Sequence, residues 1–99
     1  MENIFCKVYE MQNQKVLACC DENILGKNLK EGKYDVTIDA DFYKGKKTSE
    51  KEMKELLKEA DSVNLFGEKS VGVALKEGLI KDSQVIKIKG IKHAILLRL

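Results

Sequence analysis

The chain predicts an α+β fold: an antiparallel or mixed sheet of about six strands, hairpins at both ends, two main helices and one short helical turn. Three observations lead there. Apolar and polar residues alternate near both ends, with turn residues between the alternating runs, which is the pattern of hairpins. Two central stretches repeat apolar residues at helical spacing. A short apolar strand, Val63 and Leu65, lies between those two stretches. The resulting order, ββ(α)β–α–β–α–ββ, implies helices packed on one face of the sheet.

Residues 3–9 (NIFCKVY) place Ile4, Cys6 and Val8 on one side and Phe5, Lys7 and Tyr9 on the other. The polar turn Gln12-Asn13-Gln14 leads into a second strand at 15–20 (KVLACC). Asp21 is then expected to cap one helical turn through Ile24 and Leu25, which Gly26 stops. After Glu31-Gly32, Tyr34, Val36 and Ile38 alternate with Asp35, Thr37 and Asp39, a strand with one wet face. A basic loop, Tyr43 to Lys47, follows it. Ser49 and Glu52 have capping-box spacing, and Met53, Leu56, Leu57 and Ala60 form the stripe of the helix behind them. The second helix begins after Gly67, buries Val71, Ala74 and Leu75, and stops at Gly78-Leu79. Residues 85–90 and 91–99 close the chain as a hairpin turning at or beside Gly90.

A chain of 99 residues supports one domain, expected over 1–99, and at this size a single core suffices without staples. The net charge is +2, from 18 basic and 16 acidic residues, so charge alone does not hold this protein on nucleic acid. Any such surface is a local patch. No secretory leader and no apolar run of about 18 residues is present, so a cytoplasmic protein without a membrane partner is expected. The three cysteines, Cys6, Cys19 and Cys20, are odd in number and argue against a disulfide framework. Adjacent cysteines on a strand point to opposite faces, so Cys19 and Cys20 do not share a metal and are read as small buried hydrophobes.

The chemistry-bearing candidates are few. The turn at Gly67 offers the unpaired N–H groups and positive dipole end of a helix, where an anion docks if side chains leave room. Asn64 and Glu68 flank that turn, and His93 is the one histidine, so Asn64, Gly67, Glu68 and His93 are the candidate ligand-binding set. The run Gly67-Glu68-Lys69-Ser70 fails as a phosphate-binding loop, which needs Gly-Lys-Ser/Thr in succession and a glycine where this chain has Ser62. His93 stands without a sequence neighbour to orient it or to share a metal. Asp35, Asp39 and Asp41 read as solvated. The lysines are the other group: Lys87, Lys89 and Lys92 with Arg98 on the last hairpin, and Lys44, Lys46 and Lys47 in the loop. Phe5, Phe42, Tyr9 and Tyr43 would supply stacking surfaces beside them.

Cys20-Asp21-Glu22, Leu25-Gly26-Lys27, Glu31-Gly32, Phe42-Tyr43, Asn64-Leu65, Gly67-Glu68, Gly78-Leu79, Gly90 and His93-Ala94, in that order and spacing, resemble a small uncharacterised archaeal family, domain of unknown function 424. The resemblance runs almost end to end. One departure is Lys92, where family members often carry proline. The resemblance implies an archaeal cytosolic protein, carries no established activity, and tilts the choice toward RNA or translation.

The expected function is a non-catalytic accessory or binding protein that touches RNA or a ribonucleoprotein through Lys44, Lys46, Lys47, Lys87, Lys89, Lys92 and Arg98. One alternative is a small-ligand site or enzyme at the Gly67 turn; another is a homodimer through an apolar patch or a sheet edge, for which the run Ala94–Leu97 is a candidate. No catalytic residue, metal ligand or cofactor is assigned.

Overall fold

The computed structural model describes residues 3–98; Met1, Glu2 and Leu99, the last residue of the expected final strand, lie outside the described residues. The first hairpin joins β1 (Ile4–Met11) to β2 (Gln14–Asp21) through Gln12 and Asn13, whose φ values of 50° and 66° match a two-residue turn to the strand twist. A 3-10 turn at Glu22–Ile24 precedes a second hairpin, β3 (Asn28–Glu31) with β4 (Tyr34–Thr37). Next come the single turn α1 (Ala40–Tyr43), the short strand β5 (Lys46–Thr48), α2 (Glu50–Glu59), β6 (Ser62–Phe66) and α3 (Glu68–Lys76). Lastly β7 (Ile86–Ile88) and β8 (Ile91–Leu97) pair around Lys89-Gly90, both at positive φ.

The main sheet has six strands in the order β5-β1-β2-β6-β8-β7. It is mixed: β2 and β6 run parallel, and the other neighbours run antiparallel. The fold is therefore α+β, as the sequence predicts. Strand alternation sends Ile4, Cys6, Leu17, Cys19, Val63, Leu65 and Ala94 to one face, where Met53 and Leu57 of α2 and Val71 and Ala74 of α3 cover them. Phe5, Ala18, Cys20, Phe66 and Ile88 face the other way and bury against Ile24, Leu29, Ile38 and Tyr43.

That second layer departs from the expected single-faced arrangement. Tyr34–Thr37 does not join the main sheet but pairs only with Asn28–Glu31. Ile38 holds the ribbon down, its N–H donating to the Lys27 carbonyl and its carbonyl accepting from Gly26. Both Ile38 and Leu29 are buried, so their burial outweighs extension of the sheet. The place in the sheet goes instead to Lys46–Thr48, which pairs with Ile4–Cys6 along the open edge of β1.

The helix ends follow their sequence signals. Ser49 and Glu52 form the capping box of α2, with Glu52 N–H donating to Ser49 Oγ at 3.1 Å. α3 ends in a Schellman motif: Leu79 N–H reaches the Ala74 carbonyl and Gly78 N–H the Leu75 carbonyl, each at 3.1 Å, with Gly78 at φ 71°. Among the described residues no helix is long and apolar enough to cross a membrane.

Candidate ligand-binding cleft

The amides at the start of α3 are already engaged. Parallel pairing sets Cys20 beside Phe66, so the next residues, Asp21 and Gly67, meet at the ends of their strands. Asp21 Oδ2 accepts from the Lys69 N–H at 2.9 Å, and Oδ1 accepts from the Ser70 N–H and the Ser70 hydroxyl, each at 2.8 Å. The chain's own carboxylate thus occupies the positive end of the helix. It does not cap the 3-10 turn at Glu22–Ile24, which has no side-chain cap, contrary to the sequence expectation. Gly67 adopts φ 110° and ψ 158°, a region open to glycine alone, and a Cβ there would overlap the Asp21 carboxylate. Glu68 is exposed and pairs with Lys92 at 3.2 Å.

Asn64 and His93, the other two members of the candidate set, come together elsewhere. Both project from the second face of the sheet and line a cleft of about 400 Å³ between β6, β8, β7, β4 and α1. The remaining walls include Tyr34, Asp39, Phe42, Tyr43, Phe66 and Ile86. Register explains the meeting: Phe66 lies opposite His93, and Asn64 is two residues before it on the same side of β6. The His93 ring stacks on Phe66, with centroids 4.0 Å apart and planes 20° apart. Its Nδ1–H donates to the Leu65 carbonyl at 2.8 Å, which leaves Nε2 as the acceptor of the neutral ring. Burial holds the imidazole below its ordinary pKa against that hydrogen bond, so the neutral form prevails near pH 7.

Tyr43 completes the wall. Its hydroxyl donates to Asn64 Oδ1 at 2.5 Å, and burial pushes the phenol pKa up, so the hydroxyl remains a donor. The bond fixes the amide of Asn64 and leaves its Nδ2 as a donor. Asp39, also on the cleft wall, caps α1 by accepting the Asp41 N–H at Oδ1, 2.9 Å away. The cleft therefore brings the aromatic residues together with the polar side chains of Asn64, His93 and Asp39. Sequence reading missed Tyr43 and Asp39 as members; the adjacent aromatics Phe42-Tyr43 were the visible signal, but nothing local showed that they fold over Asn64.

The basic residues do not form one surface. Lys44, Lys46 and Lys47 lie at or beside β5, and Lys87, Lys89 and Lys92 lie on the β7–β8 hairpin, at the opposite edge of the six-stranded sheet. Lys46 pairs with Glu52 at 3.1 Å, and Lys47 pairs with Glu22 at 2.7 Å while lying over the Phe5 ring. Lys87 faces Lys92 across the hairpin, and Lys92 is the partner of Glu68. Lys89 sits in the turn, its N–H donating to Glu31. Arg98 points at the end of α2, its Nη1 donating to the Leu57 and Ala60 carbonyls at 2.6 Å each. The outer side of Ala94–Leu97 carries no strand partner among the described residues, since β7 pairs only with Ile91–His93.

Comparison with known proteins adds a fold relative and a family. A crystal structure described as an uncharacterized conserved protein from Methanopyrus kandleri is similar over 97% of this chain and 94% of that one, with a TM-score of 0.78 and 26% sequence identity. No functionally curated protein matches the chain. The family model described as "Protein of unknown function (DUF424)" matches residues 9–99, and the chain belongs to that family.

Proposed function

We propose that this protein is a non-catalytic binding protein whose cleft over β6 and β8 takes a planar nitrogen heterocycle, the chemistry of a nucleobase. The observation that carries the reading is the meeting of Asn64 and His93 among Tyr34, Phe42, Tyr43 and Phe66 in one cleft. Aromatic walls favour a flat ligand through stacking and apolar contact. The Asn64 Nδ2 donor and the His93 Nε2 acceptor match the mixed donor and acceptor edge that nucleobases present. His93 hydrogen-bonds a backbone carbonyl rather than a carboxylate, which suits an oriented contact better than a proton relay.

The base arrives either as a free nucleoside or as an unpaired residue of a single-stranded RNA, and the test separates the two. Calorimetric titration with nucleosides and with short unstructured RNA should show base-dependent binding. Asn64→Ala should weaken it by about 1 kcal/mol, roughly fivefold, through loss of one hydrogen bond. Binding of RNA but not nucleosides, with steep salt dependence, would assign the source to RNA and a share of affinity to phosphate contacts. Equal affinity for wild type and Asn64→Ala with both ligand sets would overturn the cleft as the site.

A further inference from the structure

Cys6 and Cys19 are direct cross-strand partners in the first hairpin, with their Sγ atoms 3.0 Å apart and both side chains buried. Antiparallel partners have Cα atoms about 4.5–5.5 Å apart, within the roughly 4.4–6.8 Å that a disulfide spans. Closing the sulfurs to the ~2.05 Å of an S–S bond takes a side-chain movement of about 1 Å and no change of register. Cys20 is no competitor, because it points to the opposite face and packs with Phe5, Ala18 and Phe66.

The two thiols differ in access. Cys6 lines a second cleft, of about 490 Å³, between β1, β5 and α2, together with Val8, Gly45, Thr48 and Leu56. Cys19 lies behind it and is fully buried. The hydrogen bond with Cys19 holds Cys6 below the ordinary thiol pKa against the effect of burial, whereas burial pushes Cys19 up. An outer sulfur with the greater thiolate character and an inner thiol within reach of it are the two parts of an exchange site.

We propose that Cys6 and Cys19 are a redox-active dithiol, which a low-molecular-weight disulfide entering the cleft at Cys6 converts to an intramolecular disulfide. The Cys6 thiolate attacks one sulfur of RSSR, forming the mixed disulfide Cys6–S–SR and releasing RS−, which takes up the proton that Cys6 lost. Cys19 then gives up its proton and attacks the Cys6 sulfur as the thiolate, and the second RS− leaves and takes that proton as RSH. The protein loses two electrons and two protons, and RSSR is reduced to two RSH.

The test uses the folded wild-type protein and hydroxyethyl disulfide as the probe. After exposure, the chain is denatured, its remaining thiols are alkylated, and intact and peptide masses are read. The expected product is lighter by two hydrogens, takes up alkylating agent only at Cys20, and yields the peptide ending at Lys7 linked to the peptide beginning at Val16. Fragmentation between Cys19 and Cys20 assigns the bond. Cys19→Ala should instead retain the hydroxyethylthio group on Cys6, because the resolving thiol is gone. If that variant fails to fold, the wild-type cross-link alone decides. Three alkylated cysteines in the wild type, or a bond or adduct at Cys20, would overturn the proposal.

Discussion

Asp21 and Gly67 are a mutually dependent pair, created by the parallel pairing of β2 with β6 and the absence of a Cβ at the junction. The Asp21 carboxylate accepts three hydrogen bonds in a buried position, so Asp21→Ala strands the Lys69 and Ser70 donors. It should cost about 2–4 kcal/mol in urea unfolding. Gly67→Ala should cost about as much, from backbone strain of ~1–3 kcal/mol plus displacement of the carboxylate. A loss under ~0.5 kcal/mol in either variant would contradict this assignment. The Gly67 turn was legible from the residues as a helix start, but its anion was not. Asp21 lies 46 residues earlier in the chain, and only the strand order brings it there. His93 gives a second test at this scale. Its folded pKa is depressed by burial, so the unfolded chain binds the proton more tightly. Stability should therefore fall as pH drops below the ordinary imidazole value of about 6.5 and stop falling below the folded pKa. Urea midpoints of wild type and His93→Gln, compared at pH 7.5 and about 5, should differ in their acid-side loss, with the smaller loss in His93→Gln.

Helices and strands divide by how local their determinants are. The capping box at Ser49, the buried stripe of α2 and the Schellman stop of α3 were all readable because each involves residues within one turn of one another. β3 was not readable. Asn28–Glu31 carries one buried apolar residue, Leu29, and its pairing with β4 depends on the fold beneath it. β5 was hidden for a related reason: Lys46-Lys47-Thr48 reads as a basic loop, and its strand character comes from the open edge of β1. Arg98 shows an element stabilised from a distance, closing α2 by donating to the carbonyl of Leu57 in its last turn and to that of Ala60, the residue that follows it. Arg98→Ala should cost about 1–2 kcal/mol and increase amide exchange in residues 57–60. Ser49→Ala should cost about 1 kcal/mol with exchange raised at the opposite end of the helix. Uniform exchange changes along α2 in both variants would show that these caps do not act locally.

Across the whole molecule, the sheet separates features that the sequence lets one read as a set. Its two basic groups occupy opposite edges, and several of their members are paired with glutamates or hold a helix end. By contrast, Asn64 and His93 are 29 residues apart in sequence but share a cleft, because β6 and β8 are neighbours. The identity of β1, β2, β6 and β8 was legible from alternation; their order was not, and the site depends on order. The same face extends to Ile95 and Leu97, which are 51% and 68% exposed beside an edge without a strand partner. If that edge pairs copies of the chain, sedimentation at rising concentration should show a dimer that Ile95→Lys abolishes. Mapping of amide and side-chain shifts during nucleoside titration of the labelled protein tests the cleft itself. The cleft reading predicts saturable changes centred on Asn64, Phe66, His93 and Tyr43, weakening as His93 is protonated and its Nε2 becomes a donor. Saturable changes confined to the β5 and β7 edges, or none at Asn64 and His93 with either nucleosides or single-stranded RNA, would contradict it.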